Sequence, residues 1–303
     1  MKVVYLDKGE EIEDIPHLSL ALGNFDGVHK GHQKLIMALK EESLGPTAVY
    51  LFDTNPASIL NMGKSHNVLT SLEDKIRIFS SFGIEMAFVE HLTPAFFQKS
   101  KESFIEEIKS RIDPELIVVG SDYTFGSFPQ GGPKDLKEHF KTIEVPLLSI
   151  KNEKVSTQEI IGSIERGEIE RSNFLLGRPY EINGVVGHGY ENGRKIGFPT
   201  ANLVMDIPYV LPRTGVYLGI CYSRGMAYKS LINVGTNPTV GLLKHRVVEC
   251  YLDGLENTIY GETLYISFLS FLREEKKFLS LDALKEQIEM DKKSLLAQKS
   301  LKY

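Results

Sequence analysis

Cysteine is scarce in this chain. Its 303 residues hold only Cys221 and Cys250, and neither sits in a paired ligand motif. That scarcity argues against a disulfide framework or a cysteine-based zinc module, and it fits a reduced cytoplasm. Long apolar runs are missing as well. The opening MKVVYLDKGEEIEDI turns to charge after a few residues, too soon for a signal-peptide core or a membrane span. A cytoplasmic protein without a membrane partner is therefore expected. Positive charge is also in short supply, with 35 Lys and Arg against 40 Asp and Glu and a net charge of −5. General nucleic-acid binders are more often basic, because neutralising phosphates supplies most non-specific affinity. The balance favours small-molecule substrates and no nucleic acid, while leaving room for a local basic site. Internal repeats and low-complexity tracts are absent, and nothing in the sequence sets an oligomeric state.

What is present falls into two halves. In the first, LSLALG (18–23), TAVYLF (47–52), EMAFVEHL (85–92) and ELIVVGSD (115–122) read as strands. Helical patterns lie between them at 30–42, 71–82 and 100–112. Such alternation predicts βαβ units and a parallel sheet covered on both faces, a Rossmann-like architecture. Ligands in such sheets bind beyond the carboxyl ends of the strands. In the second half, five short runs rich in Val, Ile and aromatics (EINGVVGHG, GVYLGICYS, AYKSLINVG, RVVECYLDG and ETLYISFLSFL) are separated by Gly, Pro and Asn turns. That pattern predicts an antiparallel barrel or sandwich, closed by a helix at 281–298. The Gly-Arg-Pro break near 177 places the expected boundary between 1–174 and 175–303.

The first half carries Gly-Asn-Phe-Asp-Gly-Val-His-Lys-Gly-His at 23–32, directly after a strand and opening a helix. A helix N-terminus offers unpaired N–H groups and positive potential, and both attract phosphate. Gly27 and Gly31 let the backbone approach an anion closely. His29 and His32, three apart, can face one side of the first turn and donate to a triphosphate. A chance surface pair would look the same in isolation; a zinc site lacks a third ligand nearby.

This motif resembles the His-x-Gly-His element of nucleotidyltransferases in the form found in bacterial FAD synthetases. LTSLEDKI (69–76) and VVGSDYTFG (118–126) resemble further segments of that family, in the same order. The resemblance implies adenylyl transfer from ATP to FMN with release of pyrophosphate. It assigns His29 and His32 to the ATP phosphates, counts Gly23, Asn24, Phe25, Asp26, Gly27 and Gly31 with the nucleotide site, and gives Asn24 and Asp26 the shaping of the turn. Asp122 would serve the nucleotide or flavin side. Two departures stand out. Asn55 occupies the histidine position of the family's Phe-x-Pro-His-Pro segment. In the segment aligned with Ser156-Thr157-Gln158-Glu159-Ile160-Ile161, Ser156 and the Thr157 hydroxyl survive as nucleotide-site residues, but both arginines are gone. A carboxylate at 159 is expected to repel the phosphate an arginine would bind.

The second half carries Gly-Arg-Lys-Ile-Gly-Phe-Pro-Thr-Ala-Asn-Leu at 193–203. By turn chemistry this segment reads as a loop, with Gly193 and Gly197 for unusual backbone angles and Pro199 for stiffness. Thr200 and Asn202 then offer oxygens suited to a hard cation such as Mg²⁺ beside phosphates. Glu249, in the apolar run VVECYLD, either points to solvent by strand alternation or faces a cleft, where it can take a proton from an attacking alcohol. Over 177–291 the chain resembles the riboflavin kinase family in segment after segment. The resemblance implies that Gly197, Pro199, Thr200 and Asn202 hold ATP, that Thr200 and Asn202 hold Mg²⁺, and that Glu249 is the base for the ribityl 5′-hydroxyl. Arg273 would lie near the flavin or its phosphate, and Gly187, Gly189 and Gly193 would form a flap. Together the halves resemble the bacterial bifunctional riboflavin kinase/FAD synthetase family, with riboflavin, FMN and ATP as substrates. Two alternatives stay open: a kinase with a degenerate first domain, and a flavin sensor without turnover.

Overall fold

Short apolar strands alternating with helices build the first half of the chain, as their patterning requires. The computed structural model describes every residue except 9–11, 57–58, 60–66, 128–129, 152, 189–196, 238–244 and 298–303. The chain divides into two compact units, Met1–Thr157 and Gln158–Tyr303.

In the first unit, β1 (Lys2–Tyr5), β2 (Ser19–Leu22), β3 (Thr47–Phe52), β4 (Met86–Glu90), β5 (Leu116–Gly120) and β6 (Lys141–Val145) form one sheet in the order β1-β4-β3-β2-β5-β6. All five pairings are parallel. Helices α1 (Lys30–Glu42), α2 (Leu72–Ser81), α3 (Lys101–Arg111) and α4 (Pro133–Lys137) connect them. Every residue of β2 is buried, because a central parallel strand is covered on both faces. Leu20 and Leu22 pack with Phe104, Ile105 and Ile108 of α3. Ala21 packs with Leu35, Ile36 and Leu39 of α1 and Ile78 and Phe79 of α2. The helices thus take opposite faces, and the switch point falls between β2 and β5. β1 and β6 escaped sequence patterning because they are edge strands with mostly half-buried or exposed residues. A two-residue pair of strands, β7 (Ser149–Ile150) and β8 (Glu153–Lys154), follows.

In the second unit, α5 (Thr157–Glu165, starting at the last residue of the first unit) and α6 (Ile169–Leu176) precede the strands. Gly177 ends α6 at φ 74°, a left-handed angle that favours glycine. The strands are β9 (Tyr180–Gly187), β10 (Thr200–Val204), β11 (Gly215–Ser223), β12 (Met226–Asn237), β13 (His245–Leu252) and β14 (Thr263–Arg273). They close into an antiparallel barrel in the order β10-β13-β12-β11-β14-β9. The last helix, α7 (Leu281–Ala297), seats Leu295 on Leu218 and Leu231.

Residues 200–203, read from turn chemistry as part of a loop, are the first residues of β10, hydrogen-bonded to β9 on one side and β13 on the other. Thr-Ala-Asn-Leu is too short and too polar to signal a strand by itself. Closing the barrel supplies the partners, since closure is what removes unpaired edges.

Asn173 ties α6 to the barrel. It is fully buried, donates to the Phe268 carbonyl at 2.8 Å and accepts from the Tyr180 N–H at 2.7 Å. Asn173→Ala strands both backbone groups away from water, and each such loss costs about 1–3 kcal/mol. Urea unfolding followed by circular dichroism, which suits a chain without tryptophan, is expected to show a destabilisation of about 2–4 kcal/mol. A shift under about 0.5 kcal/mol would show that these contacts do not hold α6 in solution.

Candidate functional site

The carboxyl end of β2 runs straight into the Gly-rich turn. Phe25 (φ 53°) and Val28 (φ 39°) take left-handed angles alongside Gly27 (φ 79°). Such angles cost a non-glycine residue about 1–3 kcal/mol and persist only where surroundings enforce them. Asp26 does much of the enforcing. Its buried carboxylate accepts from the Leu69 N–H (3.0 Å), the Thr70 N–H (3.0 Å) and the Thr70 hydroxyl (3.1 Å). The Gly27 N–H in turn donates to Thr70 Oγ1 at 2.9 Å. Thr157 Oγ1 donates to the Asp26 carbonyl at 3.2 Å, so the 156–157 segment reaches the turn. Buried Lys75, on α2, donates to the Asn24 carbonyl at 2.9 Å.

His29 is the N-cap of α1: its Nδ1 accepts from the His32 N–H at 3.3 Å. An accepting Nδ1 leaves the proton of a neutral ring on Nε2. The His29 and His32 rings stack 3.7 Å apart at 13°, and Phe25 meets His32 edge-on. Gly31 makes room for this, because a Cβ there would stand 3.1 Å from the His29 ring. Beside the turn opens a cavity of about 470 Å³ at the β2/β5 switch point, lined by Gly23, Asn24, Phe25, His32, Gly120 and Asp122. Phe52, Phe96, Phe104 and Tyr123 form its aromatic wall. Asp122, exposed on the rim, pairs with Lys154 at 3.2 Å. Half-buried Asn55 lies just beyond β3, and its neighbour Pro56 lines the cavity.

Glu159 sits differently from the expectation of simple phosphate repulsion. Its carboxylate accepts from Arg171 at 2.9 Å and lies 3.7 Å from Arg166, so its charge is balanced within the second unit.

In the barrel, register builds the site. Asn202 on β10 and Asn233 on β12 both stand opposite Glu249 on β13, and Thr200 stands opposite Tyr251. Cys250 and Ile232, next along their strands, are wholly buried, so alternation puts Asn202, Glu249 and Asn233 together on the outer face. A cavity of about 360 Å³ lies between this face and α7, lined by Thr200, Asn233, Glu249, Tyr251, Arg273 and Glu275 among others. Burial first, and the neighbouring Glu275 charge second, push the Glu249 carboxyl above its ordinary value. Such a shift makes the carboxylate a readier proton acceptor. Arg273 is gripped by buried Asp291 of α7 through contacts of 3.0 Å at Nε and 2.7 Å at Nη2. Gly197 (φ 85°) and Pro199 lead into β10. Gly189 and Gly193 lie outside the described residues. Patterning alone missed Thr70, Lys75, Asn233, Glu275 and Asp291. Each lies in or beside a run whose apolar or charged pattern carries no sign of a site.

Comparison with known proteins gives these sites a family. A riboflavin kinase model matches residues 176–298, and an FAD synthetase model matches residues 11–161. The chain is 34% identical over 302 residues to a bifunctional riboflavin kinase/FMN adenylyltransferase of Bacillus subtilis, covering 96% of this chain and 94% of the relative. A protein of the same name from Listeria monocytogenes is 34% identical, covering 98% of both chains. The chain belongs to this bifunctional family. A crystal structure described as a macrolide-efflux protein from Streptococcus pneumoniae matches with a TM-score of 0.85 at 28% identity, covering 99% of this chain and 100% of that one.

Gly31→Ala tests the imidazole arrangement. Alanine favours a helix over glycine by about 1 kcal/mol, so stability should stay within about that margin. The new methyl should displace the His29 ring, changing its NMR imidazole shifts. Unchanged shifts would show that Gly31 is not what makes room for the ring.

Proposed function

We propose that this chain makes flavin cofactors in two steps. The barrel unit transfers the γ-phosphoryl group of ATP to the 5′-hydroxyl of riboflavin, yielding FMN and ADP. The sheet unit transfers the adenylyl group of a second ATP to FMN, yielding FAD and pyrophosphate. The row of Asn202, Glu249 and Asn233, set in register with Glu249 and Asn233 lining a cavity, carries the reading. A proton-accepting carboxylate flanked by neutral oxygen donors is what phosphoryl transfer to an alcohol requires. It argues against a sensor, which has no use for a base.

In the barrel, Glu249 orients the alcohol and takes its proton as the oxygen attacks phosphorus in line. Thr200 and Asn202 would hold Mg²⁺. The fit is supported by donor chemistry: their side chains share one strand face beside Glu249. Few protein oxygens suit Mg²⁺, which keeps waters and substrate phosphates as ligands. When bound, it neutralises phosphate charge. Gly197 and Pro199 shape the approach to the nucleotide, and Arg273, fixed by Asp291, serves the flavin side.

In the sheet unit, the turn at 23–29 and the α1 N-terminus receive the triphosphate, with His29 and His32 donating to charge that develops on the α-phosphoryl group. Thr157 closes on the turn with Ser156 beside it, Asn55 would serve the nucleotide from beyond β3, and Asp122 would face the nucleotide or flavin. The FMN phosphate is already ionised and attacks without a base. The aromatic wall suits a flat ring. The two cysteines are buried and free, which supports a cytoplasmic setting. Among the described residues no helix is long and apolar enough to cross a membrane.

Glu249→Gln keeps the shape and removes the base. FMN formation should fall by about two to four orders of magnitude with riboflavin binding nearly intact; a loss within threefold would remove Glu249 from the mechanism. The base works only deprotonated, and its value is raised, so activity is lost as pH falls through that raised value. The acid limb of kcat/KM for FMN formation should therefore lie above the ordinary glutamate value of about 4.3. Glu275→Gln, which removes the like charge, should move that limb downward; an unmoved limb would assign it to another group. For the second step, FMN is supplied directly. His29→Ala should then slow FAD formation by about a hundredfold. No FAD from the wild type at saturating ATP and Mg²⁺ would leave a kinase with a degenerate first unit.

A further inference from the structure

Lys75 is unusual in its setting. It lies on α2, 5% exposed, on the helix that also carries the core residues Ile78 and Phe79. Lysine is among the residues least often buried, because taking an ammonium out of water is costly without compensation. Burial pulls this lysine below its ordinary value, and the nearby Asp26 charge opposes the pull. Yet the Asp26 carboxylate is spent on Leu69 and Thr70. The Lys75 ammonium instead donates to the carbonyl of Asn24, at the start of the turn, at 2.9 Å.

Two consequences follow. Fixing the Asn24 carbonyl from behind sets the peptide plane that leads into the left-handed Phe25. The buried charge also raises the positive potential at a turn whose partner is a polyanion, and low local polarisability makes that contribution larger than a surface lysine could supply. The helix start at α1 supplies only partial charge. The arginines that the family resemblance leads one to expect at 159 and 161 are absent, so the sheet unit relies on other cations.

We propose that Lys75 is a positioning residue of the adenylyl-transfer site: a buried cation behind the turn that orients it and draws the triphosphate into place. The proposal rests on the reading of residues 23–32 as the phosphate site. It requires no contact between Lys75 and substrate.

The test uses the full chain and two variants. Lys75→Gln keeps an N–H donor for the Asn24 carbonyl and removes the charge, whereas Lys75→Met removes both. Inorganic tripolyphosphate is the binding probe, measured by calorimetry, and FAD formation from supplied FMN is the activity. For Lys75→Gln, tripolyphosphate affinity should weaken and KM for ATP should rise, each about tenfold, with kcat within threefold. For Lys75→Met, kcat should fall as well, because the turn is no longer held. FMN formation by the barrel should be unaffected in both and reports that the chain is intact. Should Lys75→Met unfold the sheet unit, Lys75→Gln alone decides. Unchanged tripolyphosphate affinity and KM in Lys75→Gln overturn the proposal. A wild type that binds no tripolyphosphate and makes no FAD overturns the phosphate-site reading itself.

Discussion

Strand register is the constraint on which both sites depend. In the barrel, β10, β13 and β12 are paired so that Asn202, Glu249 and Asn233 form one transverse row. A slip of one residue in β13 would send Glu249 inward, to the place of wholly buried Cys250, and turn every neighbour to the wrong face. Buried Cys221, Ile232 and Cys250 make that slip costly. The apolar interior therefore guards the chemistry on the outer face. In the sheet unit, the parallel order around β2 and β5 creates the crevice, and the alternation of Leu20, Ala21 and Leu22 between two cores holds β2 in place.

The two units handle charge in opposite ways. The turn at 23–29 combines a helix start, two stacked imidazoles and a lysine set behind it, the features that the proposed phosphate site draws on. The barrel cavity places two carboxylates, Glu249 and Glu275, near one another, and the Glu275 charge adds to burial in pushing the Glu249 carboxyl above its ordinary value. A carboxyl raised in this way is a readier proton acceptor than an exposed one. Arg273 stays on that cavity wall because the buried Asp291 carboxylate grips it from α7, making the terminal helix part of the site.

Much of the architecture was legible in the sequence. Residues 30–42 and 47–52 carry strong enough apolar periodicity that α1 and β3 match the expected segments residue for residue. The edge strands β1 and β6 were not legible, since half-exposed strands lack a clean pattern. Nor was β10, whose strand character comes from its neighbours. For the sites, the Gly-rich turn and the Thr-Ala-Asn segment stood out because their residue types are rare in that order. Lys75 and Asn233 did not stand out, because one lysine in a charged helix and one asparagine in a strand look ordinary.

By itself the sequence determined the local pieces: the helix start at 29–32, the apolar strands and the turns that divide them. These follow from periodicity, capping and glycine geometry, all of which act within a few residues. Only the tertiary structure decided which pieces meet. It put Asp26 against Leu69 and Thr70, set Lys75 behind Asn24, aligned Glu249 with two asparagines from other strands, and neutralised Glu159 with Arg166 and Arg171. Those choices depend on long-range pairing and on the need to satisfy buried polar groups, and neither leaves a signature in any short stretch of chain.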